Sequence, residues 1–301
     1  TSLQLKKLRC ELLLELNQVN DHDAEIQSIL KDYPDNWLSL KDLENLRLNN
    51  ASNKEEAIIS VENLCLSYGS FKVLEKVSFK VEKGTCMVVM GGRGCGKSTL
   101  LKSMIGLLAP KEGRILFKSQ DLWSDKKNLR QKLLSEFGVL FQGGALWSSM
   151  TVLENICLPL ERHTSLSTAE IEEISRYKMS LVGLSGFEEF YPAQMSGGMR
   201  KRAGIARAMA LDPEVLFFDE PSAGLDPLNS KRLDDLINEL KTSLGVTFVV
   251  VTHELASIFE IADDSVFLDP KQKTLVAKGD PKSLLNQTDN QQLQNFLHRQ
   301  T

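Results

Sequence analysis

The hydrophobic positions of this chain fall into three textures. Over residues 1–50, Leu5, Leu8, Leu12, Leu16 and Val19 recur at intervals of three and four, the spacing of one face of an amphipathic helix. Asp23 and Pro34 punctuate the next stretch, and Trp37, Leu38, Leu40, Leu43, Leu46 and Leu48 suggest a second helix before a polar linker at residues 49–54. From Ala57 the texture changes to short alternating runs: Ile58, Ile59, Val61, Leu64 and Leu66, then Val73 and Leu74, then Val77, Phe79 and Val81. Glycine and polar turns separate these runs, which predicts antiparallel strands. The third texture is nearly continuous: Cys86-Met87-Val88-Val89-Met90, Phe137 to Phe141 and Val215 to Phe218 carry no polar side chain, and Val246 to Val251 is broken only by Thr247. Such runs between polar turns read as buried strands. A further strand is predicted at Arg114–Phe117. Helical spacing returns in residues 151–185, through Val152, Ile156 and Leu160 and then Ile171, Ile174 and Met179, with a helix start at Ser167-Thr168-Ala169-Glu170. Another helix begins after Ser196 and runs through Met209. Buried strands alternating with helices predict an α/β fold.

Composition adds limits. The chain has 301 residues, 42% hydrophobic and 25% charged, as a globular protein requires. Its net charge of −4 offers no general reason to expect nucleic acid as a partner. No apolar run approaches the ~20 residues of a membrane span. The cysteines are Cys10, Cys65, Cys86, Cys95 and Cys157, five in number and without CxxC spacing. Free thiols in a reducing compartment are expected rather than a disulfide framework or zinc site.

The chemistry centres on Gly91-Gly92-Arg93-Gly94-Cys95-Gly96-Lys97-Ser98-Thr99. This GxxxxGK[ST] pattern follows a predicted buried strand and precedes Leu100 to Ile105, a predicted helix, which is the context a phosphate-binding loop needs. The glycines permit unusual φ values and let an anion approach the backbone. Backbone N–H groups and the helix N-terminus converge on that anion. Lys97 is placed to reach the outer phosphates and the Ser98 hydroxyl to bind Mg²⁺. Cys95 lies within the loop, so thiol reagents are expected to inhibit and ATP to protect.

Two later strands deliver polar groups at their C-terminal ends. Val215 to Phe218 leads into Asp219 and Glu220, which suits a metal-holding carboxylate followed by a carboxylate that polarises water; the plainer reading is an acidic turn. Val246 to Val251 ends at Thr252-His253. Ligands of open α/β sheets bind at the carboxyl ends of strands, so His253 joins the candidates. Met195-Ser196-Gly197-Gly198-Met199 opens a helix and forms a second anion-receiving N-terminus. Arg200, Lys201, Arg202 and Arg207, further along that helix, read as a solvated basic face. Tyr68 is a candidate to stack on a purine, or else ordinary turn packing. Trp147 either packs in the core or lines a docking groove.

Together these residues resemble the ATP-binding-cassette (ABC) ATPases over residues 57 to about 285. The phosphate loop spans Gly91 to Thr99, and the Q-loop glutamine is Gln142. The signature is Met195 to Met199, and the Walker B strand ends at Asp219 and is followed by Glu220. The D-loop is Ser222-Ala223-Gly224-Leu225-Asp226, the switch histidine is His253, and Tyr68 stands at the adenine-stacking position. The stretch Ser196 to Pro227, Phe141 to Leu146 and Leu158-Pro159-Leu160 is similar to the ATPases of Mce-type lipid transporters such as the Mla system; Met199 stands where most transport ATPases carry Gln.

The resemblance implies an ABC-type nucleotide-binding domain at 56–285, with a RecA-like core, an antiparallel β subdomain and an α-helical subdomain at about 145–190. A helical extension is expected at 1–55 and a C-terminal helix or tail at 286–301. It implies ATP hydrolysis by a homodimer with Mg²⁺ held by Ser98, Gln142 and Asp219, and catalysis by Glu220, His253, Lys97 and Gln142. Ser196, Gly197, Gly198 and Met199 act on the partner's ATP, with Asp226 in the D-loop. It further implies integral-membrane permease subunits, phospholipid as cargo and a peripheral place on the cytoplasmic face of the inner membrane. An Mce-type periplasmic lipid-binding protein and a small accessory protein are candidate partners. The ATPase of an amino-acid, ion or drug transporter, or a soluble non-transport ABC ATPase, are the alternatives.

Overall fold

The computed structural model describes residues 57–124, 127–287 and 290–298. The helices and linker expected before Ala57 lie outside the described residues.

Two sheets organise the fold. The first is antiparallel, in the order β2-β1-β4-β5, from β1 (Ala57–Tyr68), β2 (Phe71–Glu82), β4 (Glu112–Phe117) and β5 (Gln120–Asp121). The runs expected as separate strands between Val73 and Val81 are one strand, because irregular pairing near Asn63 and Lys76, both at left-handed φ, lets a long ribbon twist without breaking. The second sheet has six strands in the order β10-β9-β3-β8-β7-β6. They are β3 (Cys86–Gly91), β6 (Phe137–Leu140), β7 (Val215–Asp219), β8 (Thr247–Val251), β9 (Asp264–Asp269) and β10 (Thr274–Gly279). All neighbours are parallel except the edge pair β9–β10.

The continuous apolar runs occupy the centre of this sheet, where both faces are covered. Side chains alternate across the strand, so each run feeds two cores. Cys86, Val88, Met90, Leu216, Phe218, Phe248 and Val250 face one cluster, and Met87, Val89, Val215, Phe217, Val249 and Val251 face the other. The second cluster is closed by the antiparallel sheet and by α1 (Lys97–Met104). The first is closed by α3 (Val152–His163), α4 (Thr168–Leu181), α5 (Gly197–Ala208), α6 (Pro227–Leu244), α7 (Leu255–Ile261) and α9 (Gln291–Leu297). Two short α-helices, α2 (Lys127–Leu134) and α8 (Pro281–Gln287), and a 3-10 turn at Pro192–Gln194 remain among the described residues.

The helix start read at Ser167 is a full capping box: the Glu170 backbone N–H donates to Ser167 Oγ at 3.4 Å and Ser167 N–H to Glu170 Oε2 at 2.8 Å. Thr151 and Glu154 repeat the device at the start of α3. Helix α5 lies unusually close to β6. A Cβ on Gly138 would meet Ala208 O at 2.2 Å, and one on Gly204 would meet Leu140 Cδ1 at 2.6 Å. Any side chain at Gly138 would therefore push α5 away from the sheet.

Candidate functional site

The order β3-β8-β7 puts the C-terminal ends of three parallel strands side by side, the position at which open α/β sheets bind ligands. Val251 pairs with Val89 on one flank and Asp219 on the other. Sheet register alone thus brings Gly91, Asp219, Glu220 and His253 to one rim.

The phosphate loop leaves β3 through Gly91 at φ 151°, where a Cβ would stand 2.7 Å from Leu268 O. It enters α1 through Gly96 at φ 99°, in the left-handed region and without a side-chain cap, and a Cβ there would meet Val73 and Leu74 at 3.0 Å. Lys97 is buried and folds back over the loop, its Nζ donating to Gly91 O at 2.9 Å and Gly92 O at 3.2 Å. These carbonyls hold an ammonium directly over the cradle. Arg93, Gly94 and Thr99 complete the loop; Arg93 and Gly94 are exposed.

The Cys95 thiol is buried beneath the loop, against Gly91, and burial pushes its pKa up. That corrects the expected access of reagents to this thiol: the loop turns the sulfur into the core, while the Cys95 N–H donates to Gly92 O at 3.4 Å.

Ser98 O–H donates to Asp219 Oδ1 at 3.3 Å. Burial pushes the Asp219 carboxyl up, the Ser98 bond pulls it back, the neighbouring Glu220 charge raises it, and Lys102 and Lys97 lower it. A hydroxyl and a carboxylate this close form a hard oxygen pair of the kind Mg²⁺ selects.

Glu220 sits at φ 48°, a left-handed value that costs a non-glycine residue ~1–3 kcal/mol. Its N–H donates to Val251 O at 2.8 Å, which holds the turn. Glu220 Oε1 lies 2.8 Å from His253 Nδ1, and Glu220 Oε2 is buried with no hydrogen-bond partner among the described residues. An orphaned carboxylate oxygen beside a phosphate loop is shaped to accept from a water.

Residues 74–223 match the ABC transporter family. Over 240 residues the chain is 39% identical to a protein of Mycobacterium leprae named probable ribonucleotide transport ATP-binding protein mkl, covering 80% of this chain and 68% of that one. Over 232 residues it is 35% identical to the intermembrane phospholipid transport system ATP-binding protein MlaF of Haemophilus influenzae, covering 77% of this chain and 87% of that one. The dimeric structure of a bacterial ABC transporter cassette superimposes with a TM-score of 0.67 at 26% identity, over 74% of this chain and 98% of that one. The chain belongs to the ABC transporter ATPases.

In this ABC ATPase the substrate is ATP and the partner ion Mg²⁺, and the loop, Lys97 and the Ser98–Asp219 pair fit both. The remaining predicted residues lie on other elements. Tyr68 ends β1 and is 48% exposed, which leaves its ring face open. Gln142 follows β6 and is exposed. Ser196 caps α5, its Oγ accepting from Met199 N–H at 3.2 Å. Gly197 and Gly198 pack toward Leu225 and Asn229 at the start of α6. Asp226 caps α6 by accepting from Asn229 N–H at 3.0 Å, and its bonds to Asn229 hold its carboxyl below the usual range. No described hydrogen bond or ion pair joins Ser196 to Lys97, Ser98, Asp219, Glu220 or His253.

The basic run of α5 is a solvated face only in part: Arg200 is exposed, Arg202 and Arg207 are half-buried and Lys201 is buried. Arg200 donates to Met195 O, Arg202 to Val182 O and Gly183 O, and Arg207 to Gly144 O and Ala145 O. Lys201 is buried and donates to Gln142 O and, at 3.4 Å, to Glu220 O. Each of these carbonyls either ends a helix or sits in a loop, where backbone acceptors lack partners. Asn155 is a second residue that sequence reading missed. Fully buried, it accepts from Trp147 N–H and donates to Trp147 O, Met150 O and Thr151 O, pinning the turn that presents Trp147 at 59% exposure.

Proposed function

We propose that this chain is the motor subunit of a phospholipid transporter of the Mla/Mce type, working as a homodimer beneath separate membrane permease subunits. The observation that carries the catalytic reading is the cluster on one sheet rim: Lys97 over the cradle, Ser98 bonded to Asp219, and Glu220 bonded to His253 with one oxygen left open.

Lys97 and the loop amides neutralise the phosphates from one side. Ser98, Asp219 and Gln142 would hold Mg²⁺, which supplies positive charge to the phosphate oxygens. Glu220 polarises the attacking water, and His253 fixes the carboxylate's direction. Tyr68 stacks on the base. A γ-phosphate needs donors on more than one side. Ser196, Gly197, Gly198 and Met199 of a second copy supply them, with Asp226 at the same seam. Hydrolysis removes the group both copies share, so the pair reopens; the ligand shifts an equilibrium between two states.

No described helix is long and apolar enough to cross a membrane; in this reading the separate permease subunits carry the substrate. The exposed Phe141, Trp147, Phe190 and Tyr191 supply an apolar surface near the Gln142 loop and α3 for a permease segment. A place on the cytoplasmic face of the inner membrane follows from that contact. An Mce-type lipid-binding protein and a small accessory protein are the further partners this reading allows.

Phospholipid is preferred as cargo because relatives named for phospholipid transport match over most of their length. The relative named for ribonucleotide transport supports a second reading, a nucleotide transporter. Purification of the complex from membranes, followed by mass spectrometry of its proteins and small molecules, separates them. A permease with bound phospholipid is expected; a permease with nucleotide-type cargo and no lipid overturns the lipid reading.

A further inference from the structure

Lys201 is the one buried ammonium in the basic run of α5, and its position is unusual. It lies on the helix that the signature opens, five residues beyond Ser196. Its Nζ donates to the backbone carbonyls of Gln142 and Glu220, so three functional segments meet at one nitrogen. Among the described residues no carboxylate forms an ion pair with it. The charges of Asp219 and Glu220 are its nearest counterweight, and they raise a pKa that burial lowers. A buried cation without a direct partner is costly unless its hydrogen bonds are well made.

The surroundings make this contact more than a local bond. The loop after β6 is fastened to α5 along one face of the helix. Gly204 lets Gly144 O come within 3.2 Å of where a Cβ would be, and Arg207 donates to Gly144 O and Ala145 O. The loop and α5 therefore move as one body. Of the residues in that body, Lys201 is the one that also bonds the backbone of Glu220. Glu220 is held at a left-handed φ with few restraints: its own N–H to Val251, and its carbonyl accepting from Ala223 N–H at 3.2 Å and from Lys201.

We infer that Lys201 is a positioning residue that couples the seating of α5 and the Gln142 loop to the alignment of Glu220 for hydrolysis. This rests on the assignment of Glu220 as the water-polarising carboxylate. When the loop or the signature shifts, the Lys201 bond to Glu220 O lengthens and the turn at Glu220 relaxes toward an unstrained φ, which carries its carboxylate off line. A misplacement of about 1 Å at a reacting group costs up to ~100-fold in rate.

The test uses the full chain, with Lys201→Met, Lys201→Gln and Lys201→Arg compared in ATP turnover, nucleotide affinity and thermal melting, beside Glu220→Gln. Lys201→Met is expected to lower kcat ~10–100-fold while KM and ATP affinity stay within about threefold. Lys201→Arg, which keeps a charged donor, restores most of kcat, and Lys201→Gln lies between. The proposal is overturned if Lys201→Met keeps kcat within twofold, if it raises KM at constant kcat, or if Lys201→Arg is as slow as Lys201→Met. Should Met disrupt folding, Lys201→Gln decides: a native melt with lowered kcat supports coupling, whereas loss of melt and kcat together in both variants marks a structural role and overturns it. Turnover by Glu220→Gln would show instead that the site assignment itself has failed.

Discussion

Two helices in this molecule begin at glycine-rich turns, and they are built for different tasks. Helix α1 starts at Gly96 in a left-handed conformation with no side-chain cap, which leaves its first N–H groups open. Around it stand an ammonium, a hydroxyl and, through Asp219, Glu220 and His253, a chain of titratable groups. Helix α5 starts at Ser196, whose own hydroxyl occupies Met199 N–H. Its cations are engaged by backbone carbonyls, of Met195 just before the cap and of the loops at Val182 and Ala145. Both ends carry the same partial positive dipole. One has recruited charges of both signs and can hold an anion and work on it. The other has a dipole and a hydroxyl, enough to complete a site but not to form one. That asymmetry is what a composite pocket shared by two chains requires.

The sharpest way to break the comparison is to remove function from the first end by two routes. Glu220→Gln is expected to cut turnover ~10³-fold while retaining ATP and accumulating a closed dimer. Lys97→Ala should lose turnover with nucleotide binding weakened ~10–100-fold, since an ammonium over the phosphates contributes ~1.5–3 kcal/mol in charged hydrogen bonds. Turnover rates, a fluorescent-nucleotide titration and size-exclusion chromatography with ATP distinguish the two. Equal ATP affinity in both variants would show that Lys97 does not hold phosphate.

The second end is probed by Ser196→Arg. Each chain should still bind ATP through α1, but the donor proposed to face the partner's nucleotide is replaced by a bulky cation. Turnover should fall ~10²–10³-fold, as when a preorganised donor is removed from a transition state, with nucleotide affinity of the monomer unchanged. Full activity in that variant would mean that one chain completes its own site.

How much was legible in the sequence depends on the range of the interactions. The phosphate loop could be read because nine consecutive residues carry its chemistry, and the buried strands because their apolar runs report burial on both faces. Asp219, Glu220 and His253 were readable as strand ends, since register places strand ends on one rim. The basic run of α5 was not readable. Arg200, Lys201, Arg202 and Arg207 look alike in one dimension, and what each does depends on a carbonyl five to 63 residues away. Asn155 and the buried thiol of Cys95 were missed for the same reason: a polar residue on an apolar face shows its partner only when the chain is folded. Trp147 was undecided between core and surface because the turn that exposes it is held by Asn155.

Asp234 supplies the smallest effect and a link between the regions compared. It lies on α6, whose first residues pack on the signature, and is 2% exposed. Its Oδ2 accepts from Ser257 O–H at 2.9 Å on the helix after His253, and Ser257 O–H also lies 3.5 Å from Ser222 Oγ in the D-loop. Its Oδ1 has no partner among the described residues. Burial pushes the carboxyl up to about 6; the Ser257 bond and Lys231 pull it down, and Glu260 and Asp235 raise it. A carboxyl whose folded pKa is raised favours the folded state fully at pH below its unfolded value. That contribution disappears as pH climbs through the folded value. Between about pH 4 and pH 6 the wild type should therefore lose ~1–3 kcal/mol of stability from this group. In Asp234→Asn the loss is absent. Denaturant unfolding of both proteins across pH 4–8 measures it: the stability difference should shift in favour of the variant as pH rises and flatten above pH 7. A difference that does not vary with pH would mean that Asp234 is ionised throughout, and that the D-loop and the switch helix are joined by a charge.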